Sequence, residues 1–322
     1  MKCFIGIDAG TSGIKVVVFD ALGRVCGTGY HECDVITPRP GWVEQDPREL
    51  WHACSAAVKM AIGSVGAEIE VGGIGFSGQM QGCLLVDRNL EPIGNCIIWL
   101  DQRSSAQVDE ICGLIADDDA LRLTSNHCLN SFWAPKLLWI RENRPEDYER
   151  AYKVMFVKDY LRLCMTGEVA TEVSDASLSF MLDVGARKWS YPVFDRLGID
   201  RSLVPDTLAE SYEVVGRLSR GVAEELGIAP GVPVAAGAGD QPAGGVGTGI
   251  VRPGVLGSTI GTSGVVFGCT SSPLIDAQNR AIMSMAHSVE NKWCFLGLVL
   301  SAGGAFKWLR DTVFPMQKEA CA

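Results

Sequence analysis

The sequence predicts an α/β protein built from two related domains. Apolar segments of strand length alternate along the chain with segments that carry helix-start signals. The tetrapeptide Gly-Thr-Ser-Gly at residues 10–13 lies between two apolar segments, and it recurs in the same setting at residues 261–264. That separation is far too long for a solenoid repeat, so duplicated domains that face each other are the more plausible explanation.

Composition limits the class of protein and its partners. The chain has 322 residues, 47% of them hydrophobic and 20% charged, which suits about two globular domains with a substantial core. A net charge of −10 argues against nucleic acid or an anionic membrane as the main partner. The twelve cysteines are scattered without a CxxC pair and the four histidines are isolated, so no metal-binding cluster is predicted. The sequence shows neither a signal-peptide pattern nor an apolar run of membrane-spanning length, and we expect a cytoplasmic protein.

Three adjacent strands open the chain, at residues 3–8, 14–19 and 25–30, and the short turns between them predict an antiparallel meander. The first turn, residues 10–13, offers backbone N–H groups and two hydroxyls, with Lys15 just beyond. Such a loop can surround phosphate oxygens, although a single loop of this kind is more often a plain hairpin turn. Its recurrence at residues 261–264 favours two phosphate loops that grip one polyphosphate from opposite sides.

Polar loops follow the strands predicted at residues 71–76 and 97–100. The loop at 77–82 carries two glutamines, and the loop at 101–103 carries an acid, an amide and a guanidinium. A solvated turn explains each loop taken singly. Ligand groups nevertheless collect at the strand ends of α/β sheets, so both loops are predicted to lie at a binding site.

Helix-start signals divide the rest of the first 250 residues. Asp46 followed by Pro47 predicts the N-cap of a helix that runs to about residue 62. A short helix is predicted from Pro135. The aromatic residues at 132–139 suit a core better than a sugar platform, and Trp133 is the one best placed to contact a ligand.

The glycine-rich segment at residues 237–246 follows an apolar run at 232–236 that predicts a buried strand. Asp240 stands where an N-cap is expected, and Pro242 falls in the first turn of the helix that follows. A carboxylate at such a turn is well placed to hold a reacting hydroxyl, although capping alone also explains it. A dinucleotide-binding fingerprint is not supported, because Pro242 occupies its third glycine position.

These motifs together resemble the FGGY carbohydrate kinases and, within that family, the xylulose kinases. The resemblance implies two actin-like, ribonuclease-H-like domains with ATP and sugar in the cleft between them. We place the domains at residues 1–247 and 248–322, the second one incomplete. The matching segments are residues 4–12, 77–82, 158–161, 239–240 and 261–264.

The resemblance also assigns roles to individual residues. Asp240 corresponds to the family's catalytic base, and Asp8 would help hold Mg²⁺. The residues expected to cradle the ATP phosphates are Thr11, Ser12, Lys15, Gly261 and Thr262. Those expected at the sugar are Gln79, Met80, Gln81, Asp101, Arg103 and Gln241, to which Trp133 is added as the aromatic candidate.

The expected function is ATP-dependent phosphorylation of a sugar or polyol hydroxyl, with a ketopentose such as D-xylulose as the favoured acceptor and a homodimer as a possible assembly. Xylulose kinases usually carry His at the position of Gln81 and Asn at that of Gln241, which weakens the pentulose assignment. The alternatives are a sugar-binding or regulatory protein without catalysis and an actin-like ATPase or chaperone. Because the glycine-rich segment that holds adenosine in the family is absent, residues 1–322 alone are expected to be a weak or inactive kinase.

Overall fold

The computed structural model describes residues 1–261, 264–299 and 301–313. Within those ranges the chain is a mixed α/β structure, and its elements agree in type and order with most of the predicted ones. The strands are β1 (Lys2–Ala9), β2 (Gly13–Asp20), β3 (Val25–Glu32), β4 (Glu44–Gln45), β5 (Glu70–Gly78), β6 (Cys83–Val86), β7 (Pro92–Ile97), β8 (Lys153–Met155), β9 (Ala170–Glu172), β10 (Leu182–Asp183), β11 (Lys188–Trp189), β12 (Thr207–Ala209), β13 (Val214–Arg217), β14 (Pro233–Ala235), β15 (Ala238–Gly239), β16 (Leu256–Ile260), β17 (Gly264–Thr270), β18 (Ile282–Ala286) and β19 (Trp293–Val299). The α-helices are α1 (Pro47–Gly63), α2 (Ser105–Leu114), α3 (Asp117–Thr124), α4 (Trp133–Asn143), α5 (Pro145–Arg150), α6 (Val157–Thr166), α7 (Val173–Ala176), α8 (Tyr191–Leu197), α9 (Arg220–Leu226), α10 (Asp240–Gly247) and α11 (Gly303–Val313), with a 3₁₀ turn at Arg201–Leu203.

The central sheet has the order β13-β14-β5-β1-β2-β3, with β15 also paired to β5. Strands β1, β2 and β3 form the predicted antiparallel meander. Strand β5 lies parallel to β1, and β14 and β15 lie parallel to β5. Helix α1 packs against β2 and β3, and Asp46 caps it by accepting a hydrogen bond from the Arg48 N–H at 2.8 Å, as predicted. The carboxyl ends of β1, β5 and β15 therefore meet at one edge.

A second sheet, β4-β7-β6-β8, lies beside the first and corrects one predicted strand. The apolar run 97–100 is not a strand: β7 spans Pro92–Ile97, and the chain turns at residues 99 and 100. The Asp101 carboxylate explains this turn, because it accepts the main-chain N–H groups of Val43 and Arg103 and bends the chain. Helix α4 likewise begins at Trp133, two residues before the predicted start.

A third sheet, β16-β17-β19-β18, follows α10 and contains the predicted second hairpin. It is docked on the rest of the molecule through buried hydrogen bonds. The Asn126 side chain accepts the Ser284 N–H at 2.8 Å and donates to the Ser284 carbonyl at 2.9 Å, and the Ser177 hydroxyl accepts the Ala286 N–H at 2.9 Å. These contacts bring the inner face of the sheet toward α10.

None of the helices that the structure describes is long and apolar enough to cross a membrane.

Candidate active site

The candidate site is built where parallel strands of the central sheet end together. Asp8 on β1 is in register with Ser77 on β5, and Ser77 is in register with Ala238 on β15. The Ser77 hydroxyl donates a hydrogen bond of 2.8 Å to the Asp8 carboxylate. Since Asp240 follows Ala238 by two residues, the sheet register places Asp8 and Asp240 at the same edge. Their proximity is thus a consequence of backbone pairing.

Two glycines let the chain pass over β5 and turn into α10. Gly237 has φ of +81°, and a Cβ there would lie 2.6 Å from the carbonyl oxygen of Phe76. A Cβ on Gly239 would lie 2.7 Å from Cγ of Met80. Larger residues at these positions would push Asp240 away from the strand ends, because the clashes involve the backbone and the neighbouring loop.

Asp240 is the first residue of α10, whose N-cap is Gly239, so the predicted N-cap position was wrong by one residue. The pKa of Asp240 is raised from 3.8 to about 6, first by burial and then by the negative charge of Asp8. Hydrogen bonds from the backbone and side chain of Gln241 oppose that rise. A carboxylate of this kind is ionised at neutral pH and still basic enough to accept a proton.

Cavities open on different sides of Asp240. The large cleft, about 650 Å³, is lined by Asp8, Lys15, Ser77 and Asp240 among others. The small pocket, about 180 Å³, is formed by Met80, Gln81, Trp99, Leu178, Asp240 and Gln241 together with apolar side chains of β17, β18 and β19. The outer cavity, about 430 Å³, lies between α10 and the β16–β17 hairpin. Asp240 lines the large cleft, the small pocket and the outer cavity alike.

The residues predicted for phosphate binding are only partly brought together. Lys15 is exposed, lines the large cleft and is in register with Asp8 across β1 and β2. The Thr11 hydroxyl instead points inward, donating to Gln79 at 3.1 Å and accepting from the Trp99 indole N–H at 2.9 Å. Ser12 is exposed at the same turn.

The second predicted phosphate loop follows β16. Gly261 is exposed, and its carbonyl accepts the Gly303 N–H at 3.0 Å. Thr262 lies outside the described residues.

Among the residues predicted for the sugar, Met80, Gln81 and Gln241 line the small pocket. The other four are enclosed by contacts within the protein and do not line this pocket. Gln79 is buried, with its amide donating to Gln45 at 2.6 Å. Trp133 is fully buried, stacks on Phe156 at 3.7 Å between ring centroids and donates to the Gly82 carbonyl at 2.7 Å.

Asp101 and Arg103 are also enclosed, because they satisfy each other. Their side chains are fully buried and form a bidentate pair, with Nη2 of Arg103 at 2.7 Å from Oδ2 of Asp101. The Arg103 guanidinium also lies over the rings of Trp42 and Trp139, at 4.1 and 5.0 Å from their centroids. Such a pair has little capacity left for a sugar hydroxyl.

Several lining residues escaped the sequence analysis. Trp99 lies in the small pocket, and its position just before the 101–103 loop was the signal that could have found it. Val265, Met283, Leu296 and Leu298 also line this pocket, but they come from β17, β18 and β19. Their contribution depends on how the third sheet docks, which no local pattern reveals.

A buried cluster of charged side chains is hydrogen-bonded to the backbone next to Asp240. Lys158 lies 2.9 Å from Asp159, 3.2 Å from Glu172 and 3.6 Å from Asp175, and these carboxylates raise the pKa of Lys158 against the opposing effect of burial. The Ser174 hydroxyl donates to Glu172 at 2.9 Å and accepts the Gly239 N–H at 3.1 Å. The cluster is thereby bonded to the residue immediately before Asp240.

Mg²⁺ fits the acidic edge as a hard cation with oxygen ligands. Asp8 is exposed in the large cleft, and its charge already raises the pKa of Asp240, as expected for carboxylates in need of a counter-charge. The part of the chain that the structure describes contains no cluster of three or more His, Cys, Asp or Glu side chains able to cage a metal. Mg²⁺ bound to nucleotide usually needs only one or two carboxylates and keeps waters and phosphates as its other ligands.

Comparison with known proteins places the chain among sugar kinases. Residues 3–247 match the family model described as the FGGY family of carbohydrate kinases, N-terminal domain. The chain is 36% identical over 305 residues to the xylulose kinase of Escherichia coli strain K12, which covers 95% of this chain and 62% of that protein. A crystal structure described as a xyloylose kinase from Brucella ovis is matched with a TM-score of 0.90 at 36% identity, over 97% of this chain and 63% of that one. The xylulose kinase of Rhodospirillum rubrum gives a TM-score of 0.93 at 24% identity over 98% of this chain and 64% of that one, which is a likeness of fold.

These matches confirm the predicted fold class, an α/β protein with the fold of the actin-like, ribonuclease-H-like sugar kinases. The chain spans about 62% of the length of the curated relatives it matches.

Proposed function

Because the chain belongs to the FGGY family of carbohydrate kinases, we propose that the protein transfers the γ-phosphate of ATP to a hydroxyl of a sugar or polyol, with Asp240 as general base. A ketopentose such as D-xylulose is the favoured acceptor. The family match ends at residue 247, where α10 also ends, and this supports a first domain of residues 1–247 followed by the start of a second. A cytoplasmic location and a homodimer remain predictions.

The position of Asp240 carries the proposal. Its carboxylate lines both the large cleft, which contains Asp8 and Lys15, and the small pocket, which contains Gln81 and Gln241. A group that removes a proton during phosphoryl transfer must contact the acceptor hydroxyl at the point where acceptor and phosphate meet. Asp240 lies at that boundary.

The small pocket supplies the groups that would orient the acceptor. The amides of Gln81 and Gln241 each offer donors and acceptors for hydroxyls, and Trp99 with the apolar side chains of the third sheet would cover C–H groups. Fixing the acceptor next to Asp240 provides the alignment that phosphoryl transfer depends on. Asp240 then accepts the proton of the attacking hydroxyl.

The large cleft supplies charge on the phosphate side. The Lys15 ammonium would contact phosphate oxygens, and Asp8, held by the Ser77 hydroxyl, would hold Mg²⁺. When bound, the cation offsets negative charge that develops on the transferred group. Burial and the Asp8 charge together keep Asp240 basic, which suits it to the acceptor side.

The test is sugar-dependent release of ADP by the purified full-length protein over a panel of ketoses and polyols that includes D-xylulose. Asp240→Asn is expected to reduce turnover roughly 10²–10⁴-fold while sugar affinity, measured by isothermal titration, stays within about tenfold. The matched control is Asp118→Asn, an exposed acid in the first turn of α3, which should leave turnover unchanged. More than a tenth of wild-type turnover in Asp240→Asn, with chemistry limiting, would remove Asp240 from the mechanism. Sugar binding without any sugar-dependent ADP release by the full-length wild type would instead favour a sugar-binding or regulatory protein.

A further inference from the structure

Gln81 is held in a backbone conformation that its side chain disfavours. Its φ is +69°, in the left-handed region that residues with a Cβ seldom occupy. The side chain lines the small pocket, where the nearest partner of its amide nitrogen is the sulfur of Met283 at 3.9 Å. Sulfur is a weak acceptor, so this amide retains capacity for a stronger partner. A conformation of this kind persists only when the surroundings impose it.

Two buried ionisable side chains impose it, one on each side of the residue. The N–H of Gln81 donates to Oδ1 of Asp175 at 3.1 Å, and its carbonyl accepts from Nζ of Lys136 at 2.8 Å. Both Lys136 and Asp175 are fully buried. The peptide groups on either side of the Gln81 Cα are therefore fixed by partners on other elements, α4 and α7.

Lys136 holds a second loop with the same ammonium. It donates to the carbonyls of Ile97 and Ile98 at 3.2 and 3.1 Å, directly before Trp99, which also lines the small pocket. An ammonium has three protons, and the main chain of the Gln81 and Trp99 loops accepts all of them. Each acceptor is a main-chain carbonyl, so the Lys136 ammonium fixes the position of the backbone in both loops.

Lys136 is mostly protonated at pH 7 although burial lowers its pKa. The pKa of Lys136 is lowered from 10.5 to about 8, first by burial and to a smaller extent by the charge of Arg103, while Cys83, Cys96 and Asp101 act in the opposite direction. The ammonium therefore predominates at pH 7, and its donors are lost as pH rises through about 8.

We propose that Lys136 and Asp175 are positioning residues that hold the Gln81 main chain in its left-handed conformation and so direct the Gln81 amide at the acceptor. Neither residue lines the small pocket, and both act through the backbone of one that does. The inference rests on the proposed function, because it assumes that the small pocket binds the acceptor. It adds a selectivity device whose parts lie on α4 and α7, outside the pocket.

The first test is a double-mutant cycle on acceptor affinity, with D-xylulose as the probe in isothermal titration. Lys136→Met, which keeps the length of the side chain and removes its donors, is expected to weaken binding at least tenfold. In a Gln81→Ala background the same substitution should weaken binding by a smaller factor, because the amide that it misplaces is already absent and only its hold on the loop before Trp99 remains to be lost. Equal losses in both backgrounds would overturn the proposal.

Matched controls separate positioning from general loss of stability. Lys153 is another buried lysine, bonded to the Val204 carbonyl and to Asp206, away from the pocket. Lys153→Met should leave affinity for D-xylulose unchanged. Asp175→Asn keeps the Oδ1 acceptor and should bind within threefold of the wild type, whereas Asp175→Leu should lose at least tenfold. Equal affinities of the Asn and Leu variants for D-xylulose would contradict the proposal that Asp175 holds the Gln81 main chain.

A crystal structure of Lys136→Met decides the matter independently of any ligand. We expect φ of residue 81 to leave the left-handed region and the Gln81 side chain to withdraw from the small pocket. If φ and the side-chain position of residue 81 are unchanged, the positioning role of Lys136 is refuted even if the wild type binds D-xylulose. A wild type that binds no ketose or polyol would instead refute the proposed function. The φ of residue 81 in the variant would still test the positioning role of Lys136.

Discussion

Replacing Asp240 with Asn is expected to stabilise the folded chain at alkaline pH. The pKa of Asp240 is raised from 3.8 to about 6 in the folded protein, by burial first and the Asp8 charge second. At about 1.36 kcal/mol for each pKa unit, ionising this carboxyl in the folded state costs about 3 kcal/mol relative to the unfolded chain. Asn retains the shape of the side chain and has no such cost. Because the carboxylate also borders the open cleft, solvent screens part of the effect, and we expect a gain of about 1–3 kcal/mol.

The sign of the pH dependence follows from the raised pKa. An acid whose folded pKa lies above its unfolded value destabilises the fold once it is ionised, and the cost is absent below both values. The free-energy cost of ionising Asp240 therefore grows between about pH 4 and pH 6 and is constant above that range. The advantage of the Asn variant should be full at pH 8 and about half as large at pH 5.

The assay is urea unfolding of wild type and Asp240→Asn at pH 5 and pH 8, in buffer with a chelator so that no divalent cation offsets the charge. The control is again Asp118→Asn, whose stability should differ from wild type by less than about 0.5 kcal/mol. A variant no more stable than wild type at pH 8 would refute the reasoning. So would a gain of the same size at both pH values, since the gain would then not come from ionisation.

Three further outcomes are expected. Gln81→His should shift the ranking of kcat/KM across the ketose and polyol panel toward D-xylulose, and an unchanged ranking would mean that residue 81 faces away from the acceptor. Mg²⁺ should raise the unfolding temperature of the wild type by offsetting the repulsion between Asp8 and Asp240. Most of that rise should be lost in Asp8→Asn and kept in the control Asp118→Asn. An equal rise in all three proteins would mean that the metal binds elsewhere. Burial lowers the pKa of Lys136 to about 8, so the affinity of the wild type for D-xylulose, measured by titration calorimetry, should fall as pH rises from 7 to 9. The affinity of Lys136→Met should not change over that range. A parallel decline in both proteins would exclude the Lys136 ammonium as the cause.

The elements that the sequence predicted well are those with local causes. The meander at the N-terminus follows from alternating apolar residues, and the start of α1 follows from Asp46 and Pro47, whose capping geometry is local. The edge that carries Asp8 and Asp240 was also predictable in outline, since Asp8 ends one predicted strand and Asp240 follows another at the predicted start of a helix. Its register required the parallel pairing of β5 with β1 and β15.

The features that the sequence did not predict come from side-chain contacts, most of them between residues far apart in the chain. Asp101 and Arg103 were expected to face the sugar, but a carboxylate and a guanidinium two residues apart form a buried pair with each other. Trp133 is fully buried because α4 packs its first turn against Phe156, which lies 23 residues further along the sequence. The grip of Lys136 and Asp175 on Gln81 joins segments from three parts of the chain. No short window of sequence contains the contact of Trp133 with Phe156 or those of Lys136 and Asp175 with Gln81.

The central claim is that Asp240 accepts the proton of the acceptor hydroxyl, and the pH dependence of kcat/KM for the acceptor tests it most directly. This ratio reports the ionisation of the free protein, and the pKa of Asp240 is about 6. We predict a profile that is highest near pH 7 and falls below about pH 6, approaching tenfold for each further pH unit. A profile that stays level down to pH 5 would contradict the account, because the base would then remain ionised where Asp240 is protonated.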